Sequence, residues 1–326
     1  MSARSVLLER GIILLLPVML GALVMNSAYF LTLLTFILIN GAIAMGTCFC
    51  MGRAGQITLA QSGFVAIGAY VAMLLTLRFG MPAGIGVVSA VIVSGLVGFA
   101  LSLPIMKLKG HYLGLVTLAF SLVVAEVATH WTSVTNGASG LYGIKMPSIP
   151  FLELNPRYEF LLMLTVYWFA VYVVADNLIR SRYGRAMQAL KYSEWGAQSS
   201  GIDITRVKTE VFAISAAMMG GAGAFYAYFI QYIGPESFTL ELSITVIAMC
   251  ILGGMTDIRG ALVGSALVSV MNEPLRAYPQ VQPLVYALII IVMIIFLPKG
   301  IVPSLVGTFA NRRKRRRLAG AATDAT

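Results

Sequence analysis

Charged and chemically reactive side chains are scarce in this sequence of 326 residues. Only 11% of the residues are charged, against roughly 25% in an ordinary soluble domain, and the chain has two histidines and three cysteines. These shortages exclude a soluble enzyme, a disordered chain and a disulfide-stapled secreted domain. All three cysteines lie in or beside apolar runs, so we interpret Cys48, Cys50 and Cys250 as small packing residues. His111 and His130 lack the spacing of metal ligands, so no metal and no cofactor is expected.

Apolar residues are correspondingly abundant. They make up 59% of the chain, which also has 32 glycines and a mean hydropathy of +0.87. A bilayer solvates that much apolar surface, whereas a water-soluble fold could not cover it. Since a spanning helix needs about 20 apolar residues, the sequence predicts an all-α, polytopic membrane protein with about ten transmembrane helices. The predicted segments are residues 11–27, 29–50, 62–79, 82–105, 113–131, 158–178, 209–231, 239–256, 260–275 and 282–298.

The basic residues test this topology independently. With the N-terminus inside, 19 of the 23 Lys and Arg residues fall on one side of the membrane. The positive-inside rule makes that side cytoplasmic, so both termini are predicted to lie in the cytoplasm. An alternative is that the first segment is a cleaved signal peptide, because Arg4 and Arg10 precede an apolar run that ends near residues 26–28. Cleavage would leave nine spans and place the new N-terminus outside.

The sequence divides into a transmembrane domain, residues 1–310, and a basic cytoplasmic tail, residues 311–326. The six consecutive basic residues at 312–317 resemble a nucleic-acid-binding patch. Basic residues just inside a last span also fix topology and attract anionic lipid headgroups. We therefore expect the tail to contact the lipid bilayer and expect no nucleic-acid partner.

The longest polar stretch on the basic side is a loop at about residues 180–208. It contains no phosphate-binding loop and no catalytic set. Apolar residues near helical spacing predict a short surface helix within residues 184–201, with a glycine at either end. These apolar residues are Ala186, Met187, Ala189 and Leu190. Such a helix would either lie at the headgroup level or act by contact with a partner.

Three features inside the apolar segments admit two interpretations each. The polar, glycine-flanked stretch at residues 55–63 either exposes backbone groups to a substrate or is a cytoplasmic turn. Ala216, Gly220 and Ala224 recur every four residues, which favours close helix packing over a role in lining a path. Glu126 lies within a span, where it would either contact the amino group of a substrate or reach water and pair with His130.

Several short motifs give the sequence a family resemblance. RYGRAMQALK at residues 182–191 and GIDITRVK at residues 201–208 resemble the coupling loop of permeases in branched-chain amino acid ABC importers. The order and spacing of the motifs carry the resemblance, and the length fits the longer of the two paired permeases. Ala60 and the stretch at 194–197 depart from the family pattern. The further motifs are GQITLAQSGF at 55–64, LKGHY at 108–112, TNGASGLYGI at 135–144, FAISAA at 212–217 and FLPKG at 296–300.

The resemblance implies a fold like that of type II ABC importer permeases and a non-catalytic transport subunit in the bacterial inner membrane. The implied partners are a sister permease, two cytoplasmic ATP-binding subunits and a periplasmic substrate-binding protein. The implied cargo is a branched-chain or other hydrophobic amino acid, with urea or short amides as the alternative. An ion-coupled secondary transporter would need more carboxylates at mid-membrane than Glu126, and a membrane enzyme would need a catalytic constellation that the sequence lacks.

Two sets of site residues follow. The resemblance implies an ATPase-coupling set around the predicted surface helix: Gly184, Arg185, Glu194, Trp195, Gly196, Ala197 and Gly201. The polar break and the neighbouring motifs indicate a substrate path: Gln56, Thr58, Gln61, Ser62, Thr117, Phe120 and Glu126.

Overall fold

A computed structural model describes residues 3–25, 27–106, 108, 111–148, 155–275, 281, 284–285, 288, 291–292, 295 and 300–304. Twelve α-helices are bounded within these residues: α1 (Ala3–Leu23), α2 (Ala28–Thr47), α3 (Gln61–Phe79), α4 (Ala83–Ile105), α5 (His111–His130), α6 (Thr132–Thr135), α7 (Pro156–Arg180), α8 (Arg182–Tyr192), α9 (Glu194–Ser199), α10 (Ile204–Ile230), α11 (Leu240–Gly253) and α12 (Ile258–Leu275). The remaining elements are a π-helical turn (Cys48–Arg53), two 3₁₀ turns (Gly137–Ser139 and Pro235–Phe238) and two short strands, β1 (Leu141–Tyr142) and β2 (Tyr232–Ile233).

Seven of the described helices are long and apolar enough to cross a membrane. They confirm an all-α, multi-pass membrane protein, but the predicted count of about ten is not confirmed. The apolar part of α1 is shorter, at Ile13–Leu23, and α12 is not among the seven. The last predicted span, at 282–298, and the tail at 311–326 lie largely or wholly outside the described residues. The seven are Ala28–Arg53, Gln61–Phe79, Ala83–Ile105, His111–His130, Pro156–Arg180, Ile204–Ile230 and Pro235–Gly253.

Local signals in the sequence set where several helices begin. Pro156 stands in the first turn of α7, and the Asn155 side chain accepts a hydrogen bond from the backbone N–H of Arg157 at 3.0 Å. Asp203 caps α10 in the same way, by accepting from the backbone N–H of Arg206 at 3.0 Å. Each cap satisfies a backbone donor that the first helical turn leaves unpaired.

The helix α10 is 27 residues long, with Val207 near its start and β2 just after its end, so the contacts around these two places lie at opposite ends of the molecule. At one end, Lys191 on α8 donates to Gly52 O at 2.6 Å and Tyr183 donates to Val207 O at 3.2 Å. At the other end, β1 pairs antiparallel with β2, and Arg78 donates to Val134 O at 3.0 Å. We call the first the basic end, because the contacts there involve Arg and Lys residues that the topology assigns to the inside, among them Lys191 and Lys208. Its exposure to the cytoplasm stays a prediction.

Close backbone contact joins α3, α4 and α10 in the core. A Cβ atom at Gly68 would overlap the carbonyl group of Gly220, and one at Gly220 would overlap the side chain of Ser94. Ala216 and Ala224 are fully buried in the same helix. The packing interpretation of these small residues is therefore confirmed.

The buried residues form one hydrophobic core. It includes all three cysteines, which are free and fully buried, as the sequence predicts. The aromatic rings of Trp168 and Tyr172 on α7 stack within it, with their centroids 6.1 Å apart.

Candidate functional site

The chain between the π-helical turn and α3 is not helical, and its backbone groups find partners on other helices. Gly55 adopts a φ of +71°, which turns the chain out of the helix. Leu59 N donates to Thr117 Oγ1 on α5 at 2.9 Å, and Ser121 on α5 donates to Leu59 O at 3.0 Å. Ser243 on α11 also lies within hydrogen-bonding distance of Leu59 O, at 3.3 Å. We call residues 54–60 the polar break.

The polar side chains in and beside the break are buried and mostly bonded within the chain. Gln56 Nε2 donates to Lys208 O at 3.1 Å, and Gln61 Nε2 donates to Thr58 O at 3.0 Å. Ser62 N donates to Ser243 Oγ at 3.0 Å. Within the described chain, Gln61 Oε1 is buried without a hydrogen-bond partner.

The structure therefore brings together five of the seven residues that the sequence assigns to a substrate path. Each of the five is at most 2% exposed within this chain. Their hydrogen bonds stabilise an interrupted backbone, which is a structural role. A role in lining a path stays a prediction. The five are Gln56, Thr58, Gln61, Ser62 and Thr117.

The other two predicted path residues lie apart from this network or at its margin. Phe120 is half-buried, with its ring centroid 5.1 Å from that of Phe64. The Glu126 side chain is 72% exposed near the end of α5, and one of its oxygens lies 3.3 Å from His130 Nδ1. The structure thus shows the pairing with His130 that was one of the two interpretations of Glu126.

The predicted surface helix within residues 184–201 is two helices, α8 and α9. Ser193 separates them, because its φ of −159° is extended and its hydroxyl accepts a hydrogen bond from Gly196 N at 3.1 Å. A serine followed closely by a glutamate is an N-cap signal that marks this boundary in the sequence. Gly201, with a φ of +77°, then turns the chain into α10.

One face of α8 packs on the membrane helices. Met187 and Leu190 are buried, and Ala186 and Ala189 are half-buried, so the predicted apolar stripe is confirmed. Gly184 allows the sharp corner between α7 and α8, since a Cβ atom there would overlap the carbonyl group of Ile179.

Two lysines fasten α8 and α9 to the spans. Lys191 Nζ donates to Gly52 O at 2.6 Å, at the end of the π-helical turn. Burial, reinforced by the nearby Arg53 guanidinium, lowers the pKa of Lys191 below its ordinary value. Lys208 Nζ donates to Glu194 Oε1 at 2.6 Å, and the two side chains are 8% and 33% exposed. This ion pair ties α9 to the first turns of α10.

The Glu194 carboxylate bonds to Lys208 within the chain, which gives it a structural role. Its assignment to an ATPase contact stays a prediction. Sequence reasoning missed both lysine contacts, because Lys208 is 14 positions from Glu194 and Lys191 is 139 positions from Gly52, and neither separation is a helical spacing.

The opposite face of α8 and α9 is open. The Trp195 side chain is 76% exposed and Tyr192 is 80% exposed. Arg185, Gly196 and Gly201 are exposed as well, whereas Ala197 is buried. Exposed Trp, Tyr and Arg side chains are enriched in contact surfaces between proteins. We call the exposed faces of α8 and α9 the coupling surface.

A chain of hydrogen bonds connects the coupling surface to the polar break. Glu194 on α9 bonds to the Lys208 side chain, and the Lys208 carbonyl accepts from Gln56. A cavity of about 250 Å³ lies between the two regions and is lined by residues from both, including Gln56, Lys191 and Glu194. A movement of α9 would therefore reach the break through direct contacts.

Comparison with known proteins gives matches along most of the chain. A family model described as branched-chain amino acid transport system / permease component matches residues 29–297. The high-affinity branched-chain amino acid transport system permease protein LivM of Salmonella typhimurium is 30% identical over 293 residues, which cover 82% of this chain and 69% of that protein. LivM of Escherichia coli is 29% identical with the same coverage. The Salmonella typhimurium permease LivH is 25% identical over 281 residues, covering 79% of this chain and 89% of LivH. No solved structure gives a significant match.

Proposed function

This chain belongs to the family of branched-chain amino acid transport permeases, and from that membership we propose that it is the membrane-spanning, non-catalytic subunit of an ATP-driven importer. Its partners would be a sister permease, two cytoplasmic ATP-binding subunits and a periplasmic substrate-binding protein. The similarity to both LivM and LivH supports a pore of two related permeases. The names of these relatives support branched-chain amino acids as the cargo.

The observation that carries the proposal is the linkage from the coupling surface to the polar break. ATP hydrolysis in a separate subunit can drive transport only if a contact surface on the permease is mechanically connected to its spans. Trp195 and Tyr192 provide the open surface, and the Glu194–Lys208 pair provides the connection to α10. Closure of the two ATPases would move α8 and α9 as one body, and α10 and the break would follow.

The test replaces the exposed aromatic residue at the centre of the coupling surface. Trp195→Ala removes contact area without touching the core, so we expect fewer ATPase subunits to remain bound when the full complex is purified. In proteoliposomes, this complex should lose most of its ATP-dependent leucine uptake. The matched control is Trp131→Ala, since Trp131 is 55% exposed at the opposite end. The control should retain its ATPases.

Two results would contradict the proposal. Trp195→Ala complexes that keep normal ATPase binding and uptake would show that this surface does not couple hydrolysis to transport. Uptake that continues without ATP and follows an ion gradient would instead show a secondary transporter.

A further inference from the structure

A second polar cavity lies at the basic end, away from the polar break. It has a volume of about 290 Å³ and lies between the π-helical turn, the end of α7 and the start of α12. Its lining combines arginines and aspartates with a few apolar groups. The lining residues are Arg53, Tyr172, Asp176, Ile179, Arg180, Asp257, Ile258 and Arg259.

Guanidinium groups outnumber carboxylates around this cavity. The Asp176 carboxylate accepts hydrogen bonds from Arg10 at 2.8 Å and from Arg180 at 2.7 Å, so one negative charge faces two positive charges. Asp257 Oδ1 accepts from the backbone N–H of Arg259 at 3.1 Å, which caps the start of α12. Arg53 adds a further guanidinium, so the cavity keeps a positive surplus.

Among the described residues, two arginines have buried donors without an acceptor: Arg53 in the cavity lining, and Arg10, which bonds to the lining residue Asp176. In the part of the chain that the structure describes, the Nε atoms of Arg10 and Arg53 are buried and make no hydrogen bond. A buried unpaired N–H is costly, and a second one nearby indicates that a bound acceptor completes the site. Arg53 is also held in place, because the π-helical turn packs Gly52 against the backbone of Met255. π-helical turns are frequent at functional sites.

The cavity lies at one end of α7, which is long and apolar enough to cross a membrane. On α1, Leu15 and Leu16 are exposed one to two turns beyond Arg10, and on α7 Val174 is exposed within two turns of Arg180. The α1 and α7 helices pack against each other. The cavity therefore lies where the exposed apolar side chains of the spans give way to the polar basic end, which is the depth of phospholipid headgroups.

We propose that the cavity binds the phosphate of an anionic phospholipid in the leaflet that faces the basic end. Guanidinium groups bind phosphate oxygens through paired, charge-assisted hydrogen bonds. Basic pockets between transmembrane helices at the cytoplasmic side favour anionic headgroups. The acyl chains, which a free phosphate ion lacks, would lie along the exposed apolar residues of the neighbouring spans. This site does not depend on the identity of the transported solute.

The experiment measures lipid binding by the full-length chain in a neutral detergent. Native mass spectrometry would follow adducts as phosphatidylglycerol or phosphatidylcholine is titrated, and the wild type should prefer phosphatidylglycerol. Arg53→Gln should weaken this binding about fivefold, the change that corresponds to ~1 kcal/mol for one basic group. The control is Arg182→Gln, an exposed arginine of the same end outside the cavity lining, which should bind like the wild type.

A measurement on the wild type tests the site without relying on a variant that could misfold. Phosphatidylglycerol binding should weaken as KCl is raised, because salt screens the charge attraction. Equal binding of phosphatidylcholine and phosphatidylglycerol would overturn the proposal. So would thermal stabilisation by inorganic phosphate as large as that by short-chain phosphatidylglycerol, since it would identify a free anion as the ligand. An equal loss of binding in Arg182→Gln would overturn the assignment to this cavity.

Discussion

The polar break and the coupling surface look alike in sequence, and they differ in where their polar groups bond. Both are polar stretches between apolar runs, and both begin near a glycine, at Gly55 and Gly184. In the break, the Gln56 side chain is buried and bonded to α10, and the backbone of Leu59 is bonded to Thr117 on α5. On the coupling surface, Trp195 and Tyr192 are exposed. Polar groups satisfied within the chain support the fold, whereas an open aromatic surface remains available to a partner.

The polar break and the α8–α9 pair also differ in how freely they can move. The break is anchored to α5, α10 and α11 at once, so it can move only together with those helices. The α8–α9 pair is attached to the spans by the buried side of α8 and by the hydrogen bonds of Lys191 and Lys208, while its other side is exposed. A force applied at α9 would enter α10 directly through the Glu194–Lys208 pair.

The largest effect is expected where the core helices touch through backbone atoms. Gly68→Ala should destabilise the protein by about 3 kcal/mol, because the new Cβ would overlap the Gly220 carbonyl and backbone can yield only by shifting a helix. Thermal unfolding in detergent measures the change. The control is Gly84→Ala, where nothing lies within 4 Å of the added Cβ. A similar melting temperature for Gly68→Ala and Gly84→Ala would show that α3 and α10 are not in close contact.

A smaller loss is expected from the hydrogen bonds of the polar break. Thr117→Val keeps the side-chain shape but leaves the buried Leu59 N–H without its acceptor, so it should cost about 1–2 kcal/mol. Thermal unfolding in detergent measures this as well. Thr165→Val is the matched control, since Thr165 is equally buried but only donates to Leu161 O within its own helix.

The two threonine variants distinguish a structural role of Thr117 from a role in contacting substrate. Thr117→Val should unfold at a clearly lower temperature than Thr165→Val if the break depends on its hydrogen bonds. If instead Thr117→Val is as stable as the control but loses uptake, Thr117 contacts substrate and the break belongs to the path.

The helices of this fold are largely predictable from the sequence. Long apolar runs predicted residues 62–79, 82–105 and 113–131, and the observed helices α3, α4 and α5 begin and end within two residues of those bounds. The positions of Lys and Arg predicted which connections between helices lie on the same side of the membrane. These signals are local and strong, because each span must be apolar along its whole length.

The contacts that build the site are not local, so the sequence did not predict them. Leu59 bonds to Thr117 and to Ser243, which are 58 and 184 residues away. No spacing rule connects such positions, and a buried hydroxyl has the same sequence signature as a path-lining one. Ser193 is the exception, since its capping signal was present and marks the boundary between α8 and α9.

The ion pair between α9 and α10 should have an intermediate effect, and mainly on coupling. A double-mutant cycle with Glu194→Gln and Lys208→Gln should give a coupling energy of about 1 kcal/mol in thermal unfolding, because Lys208 is nearly buried. The Arg206–Glu210 pair is the control, and we expect no measurable coupling there because Arg206 is exposed. ATP hydrolysis in the Lys208→Gln complex should continue with reduced leucine uptake. Normal uptake per ATP would contradict a role for this pair in transmitting movement.

The smallest effect is expected at Glu126. Its side chain is 72% exposed and faces His130, so Glu126→Gln should change neither the melting temperature nor the leucine uptake of the complex. His130→Gln is the companion control and should behave in the same way. A fall in uptake in Glu126→Gln, with unchanged stability and a normal His130→Gln, would restore the interpretation in which Glu126 contacts the amino group of the cargo. The exposed end of α5 would then be part of the substrate path. The molecule would have a third kind of polar site beside the buried break and the exposed coupling surface, namely one that is exposed and contacts the cargo.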